Sequence, residues 1–139
     1  MKALSIHPYY AIGIVTGDKT IEVRSWTTEY RGDILICSTA KKIHGLIPSH
    51  ALGVVELVDI VRFEPNMCRA AVLDKKDFQY GQYAWKLANP RIIKPFFVKG
   101  KLSLWNYDGA IEYADLTPLQ EDPEKWNEDL TALWKDIIF

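Results

Sequence analysis

The chain has 139 residues, 48% of them hydrophobic and 25% charged, a composition that fits one globular domain and excludes a disordered or fibrous protein. No apolar run is long enough to span a bilayer, and Lys2 leads into too short an apolar segment for a secretory leader; the cytoplasm is the expected compartment, with no membrane partner. The formal net charge of −1 hides an asymmetry: residues 1–107 hold 15 Lys and Arg against 9 Asp and Glu, whereas residues 108–139 hold 2 against 9. The body is thus +6 and the tail −7. A basic body suits an anionic partner, and an acidic tail is equally well a solvated helix face.

Residues 2–6 read as a short strand. Pro8 suits a first helical turn, where its missing N–H has no partner to lose, and the apolar stretch from Tyr9 to Val15 predicts a largely buried helix that Gly17 ends. A strand follows at 20–24. Arg31-Gly32-Asp33 is a turn into the strand 34–38, after which 38–44 is a polar, basic connector. Residues 51–63 form the longest strand candidate, apolar on both parities, as in a strand bent around a barrel. Residues 66–81 look irregular or weakly helical. Tyr83–Leu87 is a further strand, Pro90 and Pro95 bracket an expected loop, and 96–98 and 102–105 read as two strand pieces kinked at Gly100. Asp122-Pro123 opens an amphipathic helix on which Trp126, Leu130, Leu133, Trp134 and Ile137 share a face; that face packs on the barrel or joins a second copy as a homodimer. The architecture expected is α+β, a partly closed β-barrel with peripheral helices.

The segment Gly17-Asp-Lys19-Thr-Ile-Glu22-Val-Arg24-Ser-Trp26 carries the chemistry. Ile21 and Val23 alternate with Glu22 and Arg24, so a two-residue period turns the apolar pair inward and the charged pair outward together. Three readings of Glu22 and Arg24 stay open: a structural ion pair, recognition of a phosphate or base edge by the Arg24 fork, and proton transfer by Glu22. Lys19, at the strand entrance, can meet a phosphate or polarise a carbonyl. Trp26 falls on the same parity, where its ring walls a cleft, stacks a base or fills the core. Ser38, Lys41 and Lys42 on the basic connector are further ligand-binding candidates, with Arg91, Lys94, Lys99 and Lys101 as an extension of the same surface. Cys37, Cys68, His7, His44 and His50 have no spacing suited to a metal, and no cofactor is expected.

Taken in order, Lys2-Ala-Leu-Ser-Ile, Pro8, Gly17-x-Lys19-Thr-Ile-Glu22-x-Arg24-Ser-Trp26 and Tyr30-Arg31-Gly32 resemble the opening of ASCH domains, members of the PUA-like superfamily. Gly53-Val-Val-Glu56, Tyr83-Ala-Trp85, Asn89-Pro90-Arg91 and Val98-Lys-Gly100-Lys-Leu-x-Leu-Trp105 continue the resemblance, which covers about 2–107. It implies a five- or six-stranded barrel over 1–107, extended by an acidic helix over 108–139. It also implies a cleft lined by Lys19, Glu22 and Arg24 and a role with RNA or nucleotide-like ligands. Some small members resemble amidohydrolases of acylated cytidine that use Lys-x-x-Thr and a separate glutamate; here Lys19 matches and Glu22 stands at the threonine position. Others are associated with ribonuclease activity or nucleic-acid binding, and the Glu-x-Arg-Ser-Trp form is closer to those. The expected function is RNA or nucleotide binding in a basic cleft. The alternative is a hydrolase of a modified nucleoside or of RNA, with Lys19 and Glu22 as its catalytic pair.

Overall fold

Six strands and two α-helices follow one another as β1 (Lys2–Ile6), α1 (Pro8–Thr16), β2 (Ile21–Arg24), β3 (Gly32–Ser38), β4 (His50–Arg62), β5 (Tyr83–Phe97), β6 (Leu104–Asn106) and α2 (Pro123–Trp134), with single 3-10 turns at Pro65–Met67 and Lys75–Asp77 between β4 and β5. The computed structural model describes residues 1–139. All six strands belong to one curled sheet of order β2-β5-β4-β3-β1-β6, so the protein is α+β with a partly closed barrel. Only β1 and β3 run parallel; the other neighbours are antiparallel.

The helices obey local rules. The Nδ1 atom of His7 accepts the Tyr9 N–H at the start of α1, and Gly17, in the left-handed region at φ 89°, returns its N–H to the Ile14 carbonyl at the other end. Asp122 caps α2 by accepting the Lys125 N–H at 3.1 Å. Gly53 on β4 lets α1 lie close to the sheet, since a Cβ there would sit 2.7 Å from both a Val15 methyl and the Arg91 carbonyl oxygen.

The long strand β5 corrects the loop expected between Pro90 and Pro95. Proline has no N–H for a sheet ladder, yet both prolines lie within β5. The pairing with β4 explains why: Val54 opposes Arg91 and Glu56 opposes Ala88, so Asn89 and Pro90 share the single partner Val55 in a bulge. A second register shift, between Ala51 and Gly53, absorbs Pro95 in the same way. The first residues of β5, Tyr83 to Lys86, lie between β2 on one side and β4 on the other, while its later residues up to Phe97 pair with β4.

Three apolar clusters fill the structure. The largest joins Leu4, Ile34, Ile36, Leu52, Val55 and Trp85 of the sheet to Ile14 and Val15 of α1 and to Leu130 and Trp134 of α2. The apolar face of α2 is therefore engaged within its own chain. A second cluster, around Leu35, Val54 and Ile93, occupies the other face. A third, of Ile21, Phe63, Cys68, Ala71 and Ala84, pins residues 63–73 beneath β2. Cys37 and Cys68 are buried and free; burial pushes the Cys37 thiol up to about 12, so it packs as a small hydrophobe. No helix is long and apolar enough to cross a membrane.

Candidate functional site

The turn after α1 delivers Lys19 into the molecule. Its backbone N–H is held by the Gly13 carbonyl at 2.9 Å, while Thr20 and Ile21 both donate to the Ala70 carbonyl. Those bonds tie the start of β2 to the irregular segment 63–73, which the third cluster fixes in place. Lys19 is only 4% exposed. Its Nζ donates to the Ala71 carbonyl, lies 4.7 Å from the centroid of the Tyr10 ring, and stands 3.6 Å from Glu22 Oε1. The other Glu22 oxygen takes the Arg24 Nη2 at 2.9 Å. One buried carboxylate thus lies between two cations. Burial pushes the Lys19 amine below the ordinary lysine value; Glu22 opposes the shift and Arg24 adds to it.

These groups face a cavity of about 450 Å³ whose wall includes His7, Tyr10, Lys19, Glu22, Arg24 and Gln82. Asp77 and Gln79 lie across from them on the segment before β5. The cleft is therefore polar but not uniformly basic, because the carboxylates of Glu22 and Asp77 stand among the lysine and arginine. It offers a ligand several donors and acceptors instead of a bare positive field.

The structure brings together Lys19, Glu22 and Arg24, as the alternation in β2 requires. The other candidates lie elsewhere. Trp26 does not wall the cavity: β2 ends at Arg24, the chain bends, and the indole packs edge-on against Trp85 with centroids 4.7 Å apart. Trp85 Nε1 donates to the Trp26 carbonyl at 3.2 Å, which completes a core contact. Ser38 is buried and bridges to β4, accepting the His50 N–H at 3.1 Å. Lys41 and Lys42 lie on the exposed connector, Lys42 with its amine 5.7 Å from the centroid of the Phe139 ring. Arg91 and Lys94 pair with Asp33 and Glu112, each at 2.7 Å, and so do not extend a free basic surface. His7, Tyr10, Asp77, Gln79 and Gln82 were not foreseen as cleft residues. The turn at Gly17 announces Lys19, but nothing periodic marks 66–82 as part of the cleft. No group of three or more His, Cys, Asp or Glu side chains lies close enough to hold a metal ion.

A curled six-stranded sheet capped by a short helix, with a charged cleft at the helix–strand turn, defines an α+β protein of partly closed barrel type. A family model described as "ASCH domain" matches residues 4–97, and the chain belongs to that family. Among solved structures it is similar to the ASCH protein of Zymomonas mobilis, with 18% identity over 95% of this chain and 94% of that one at a TM-score of 0.56. Two single-residue mutants of that protein give the same TM-score of 0.56, one at 20% identity over 95% and 94% of the two chains and the other at 23% over 69% and 74%. Likeness at this identity is likeness of fold. No curated protein matches the sequence.

Proposed function

We propose that the cleft binds RNA or a nucleotide-like ligand. The observation that carries this reading is the Lys19–Glu22–Arg24 array in a cavity of about 450 Å³ that the amides of Gln79 and Gln82 also line. A cavity of that size suits a nucleoside-sized ligand, and its alternating donors and acceptors suit a base edge. Arg24 keeps part of its fork toward the cavity, where it can meet a phosphate or a ring face. The basic surplus of residues 1–107 supports an anionic partner. Anisotropy titration with labelled single-stranded RNA at two salt concentrations tests the reading. Binding that weakens with salt and falls in Lys19→Ala supports it; absent binding, or binding indifferent to Lys19→Ala and Glu22→Gln, refutes it.

One observation favours hydrolysis as a second reading: the buried Lys19 amine is held below the ordinary lysine range. Glu22, 3.6 Å from that amine, would accept a proton from water as the water oxygen adds to an acyl carbonyl of a modified nucleoside whose oxygen Lys19 polarises. The proton would pass to the leaving nitrogen as the C–N bond breaks. Incubation with an N-acylated cytidine and with labelled RNA separates the readings. Turnover lost in Lys19→Met favours hydrolysis, and no turnover leaves binding alone.

A further inference from the structure

We infer that the RNA partner is single-stranded and longer than one nucleotide, crossing from the cleft over the barrel seam so that a flanking phosphate meets Lys99 and Lys101 and a flanking base stacks on Phe97. The inference rests on the cleft reading above and extends it to a second subsite.

The second subsite is a cavity of about 550 Å³ bordered by Ser5, Thr39, Ser49, Phe97, Lys99 and Lys101. Its wall contains no acidic residue. Lys99 and Lys101 take part in no ion pair, whereas Arg24, Arg31, Arg91, Lys94 and Lys125 each have a carboxylate partner. Lys101 lies 5.8 Å from the centroid of the Trp105 ring, a contact that holds its stem on the surface while leaving the charge unneutralised. Phe97 is 72% exposed and is met edge-on by the His50 ring, with centroids 6.3 Å apart. An exposed, oriented aromatic ring beside two unpaired lysines is the combination on which bases of a single strand stack while the phosphates are held. Duplex RNA would keep its bases stacked on each other and unavailable to such a ring.

Connectivity comes from the seam. Ser5 borders this second cavity, while the next residue, Ile6, and Arg24 border the cleft. Arg24 Nη2 donates to the Ser5 carbonyl at 3.3 Å, so this bond links a residue lining one cavity to a residue lining the other. Ser5 Oγ and Arg24 Nε, on either side of the bond, are buried and have no partner within the protein. A chain leaving the cleft past Arg24 therefore arrives beside Ser5 and the 99–101 loop. A lone nucleotide fills only one of the two cavities.

The test compares a labelled ten-nucleotide single strand, the same sequence as a duplex, and a mononucleotide, each titrated against the wild type, the double variant Lys99→Ala/Lys101→Ala, and Phe97→Ala. The expected result is a loss of about tenfold in single-strand affinity in each variant. The salt slope of the lysine variant is expected to fall by about 0.7, the share of one phosphate on a single strand. Mononucleotide affinity is expected to stay unchanged, as is thermal stability, because all three residues are at the surface. Single-strand binding that falls with Lys19→Ala but is untouched in both loop variants overturns the inference and leaves the cleft reading standing. A duplex that binds as tightly as the single strand overturns it too. Failure of the wild type to bind any of the three overturns both.

Discussion

Arg24 on β2 closes the barrel onto Ser5 on β1. In the hydrogen-bond order of the sheet, β2 is one edge and β6 the other, and β6 pairs only with Lys2 to Leu4. The Ser5 carbonyl therefore lies beyond the end of that ladder, and the Arg24 guanidinium reaches it at 3.3 Å while holding Glu22 at 2.9 Å. The residue that closes the fold is also the one that carries charge into the cleft.

Removing that guanidinium leaves Glu22 as a buried carboxylate with only the longer contact to Lys19. Arg24→Ala is expected to destabilise the protein by about 2–4 kcal/mol, since an uncompensated buried charge costs more than the ion pair gains. Arg24→Lys keeps the charge but not the fork, and should recover only part of the loss. Urea unfolding of the three proteins measures this. A midpoint for Arg24→Ala within about 0.5 kcal/mol of wild type would show that the seam is held by other contacts.

The buried amine makes stability depend on alkaline pH. Burial holds the Lys19 value below 10.5, so between its folded value and 10.5 the unfolded chain binds more protons than the folded one. Folding therefore strengthens as pH rises through that window. Lys19→Met removes the effect, so the stability of wild type minus variant should climb with pH and level off above 10.5. Chemical denaturation at pH steps from neutral to strongly alkaline reads it. A flat or falling difference contradicts the assignment of burial as the dominant cause.

The opposite sign is expected at Asp33. Hydrogen bonds from Arg91 at 2.7 and 3.1 Å, with the attraction of its charge, hold the carboxyl below its usual 3.8 against the opposing effect of burial. This pair adds stability above that value, and the gain disappears as pH falls through the lower, folded value. The carboxylate is 42% exposed, so screening keeps the contribution to at most about 1 kcal/mol. Arg91→Ala should lower stability by that amount at neutral pH and by progressively less as pH falls through the folded value of Asp33. A loss that persists undiminished in acid would assign Arg91 a packing role.

The legibility of these features in the sequence differs with how local their causes are. Strand β1, helix α1 and the alternation of β2 depend on neighbours one to four residues away, and Pro8, Gly17 and Ile21–Arg24 announce them. The course of β5 through Pro90 and Pro95 depends on which β4 residue is skipped opposite each bulge, and nothing within 83–97 states that. Trp26 shows the limit of parity: the period of two holds only while the strand lasts, and β2 stops two residues earlier. The cleft's first wall could be read because a strand carries it. Gln79 and Gln82 could not, because the segment bearing them has no repeat and is placed by Phe63, Cys68 and Ala71 packing under β2.

Helix α2 contributes to the barrel's own core, and its removal should show it. Leu130 and Trp134 are 7% and 6% exposed within the largest cluster, next to Leu52, Val55 and Trp85. Leu130→Ala is expected to cost about 2–4 kcal/mol through lost burial and the cavity left behind. Glu128→Ala on the exposed face of the same helix should change stability by less than about 0.5 kcal/mol. Equal effects from the two substitutions would mean that α2 is not packed as described.

The tightest helix–sheet contact gives the sharpest prediction. A methyl group at residue 53 would lie 2.7 Å from a Val15 methyl and 2.7 Å from the Arg91 carbonyl oxygen, both well inside contact distance. Gly53→Ala should therefore destabilise by about 1–3 kcal/mol, because α1 must lift from β4 or β5 must shift at its bulge. Adding Val15→Ala removes the Cγ1 clash but leaves the Cβ of residue 15 at 2.8 Å and the Arg91 carbonyl oxygen at 2.7 Å. The double variant should then be more stable than the sum of the two single losses implies, yet remain below Val15→Ala alone. Thermal and urea unfolding of the four proteins give the coupling directly. Strict additivity would show that the helix does not bear on Gly53, and a double variant as stable as Val15→Ala would show that these remaining contacts yield freely. Because α1 carries Tyr10 and leads into Lys19, a helix lifted by Gly53→Ala should also weaken ligand binding in the cleft, whereas Leu130→Ala, on a residue that does not line the cleft, should lower stability with the affinity retained.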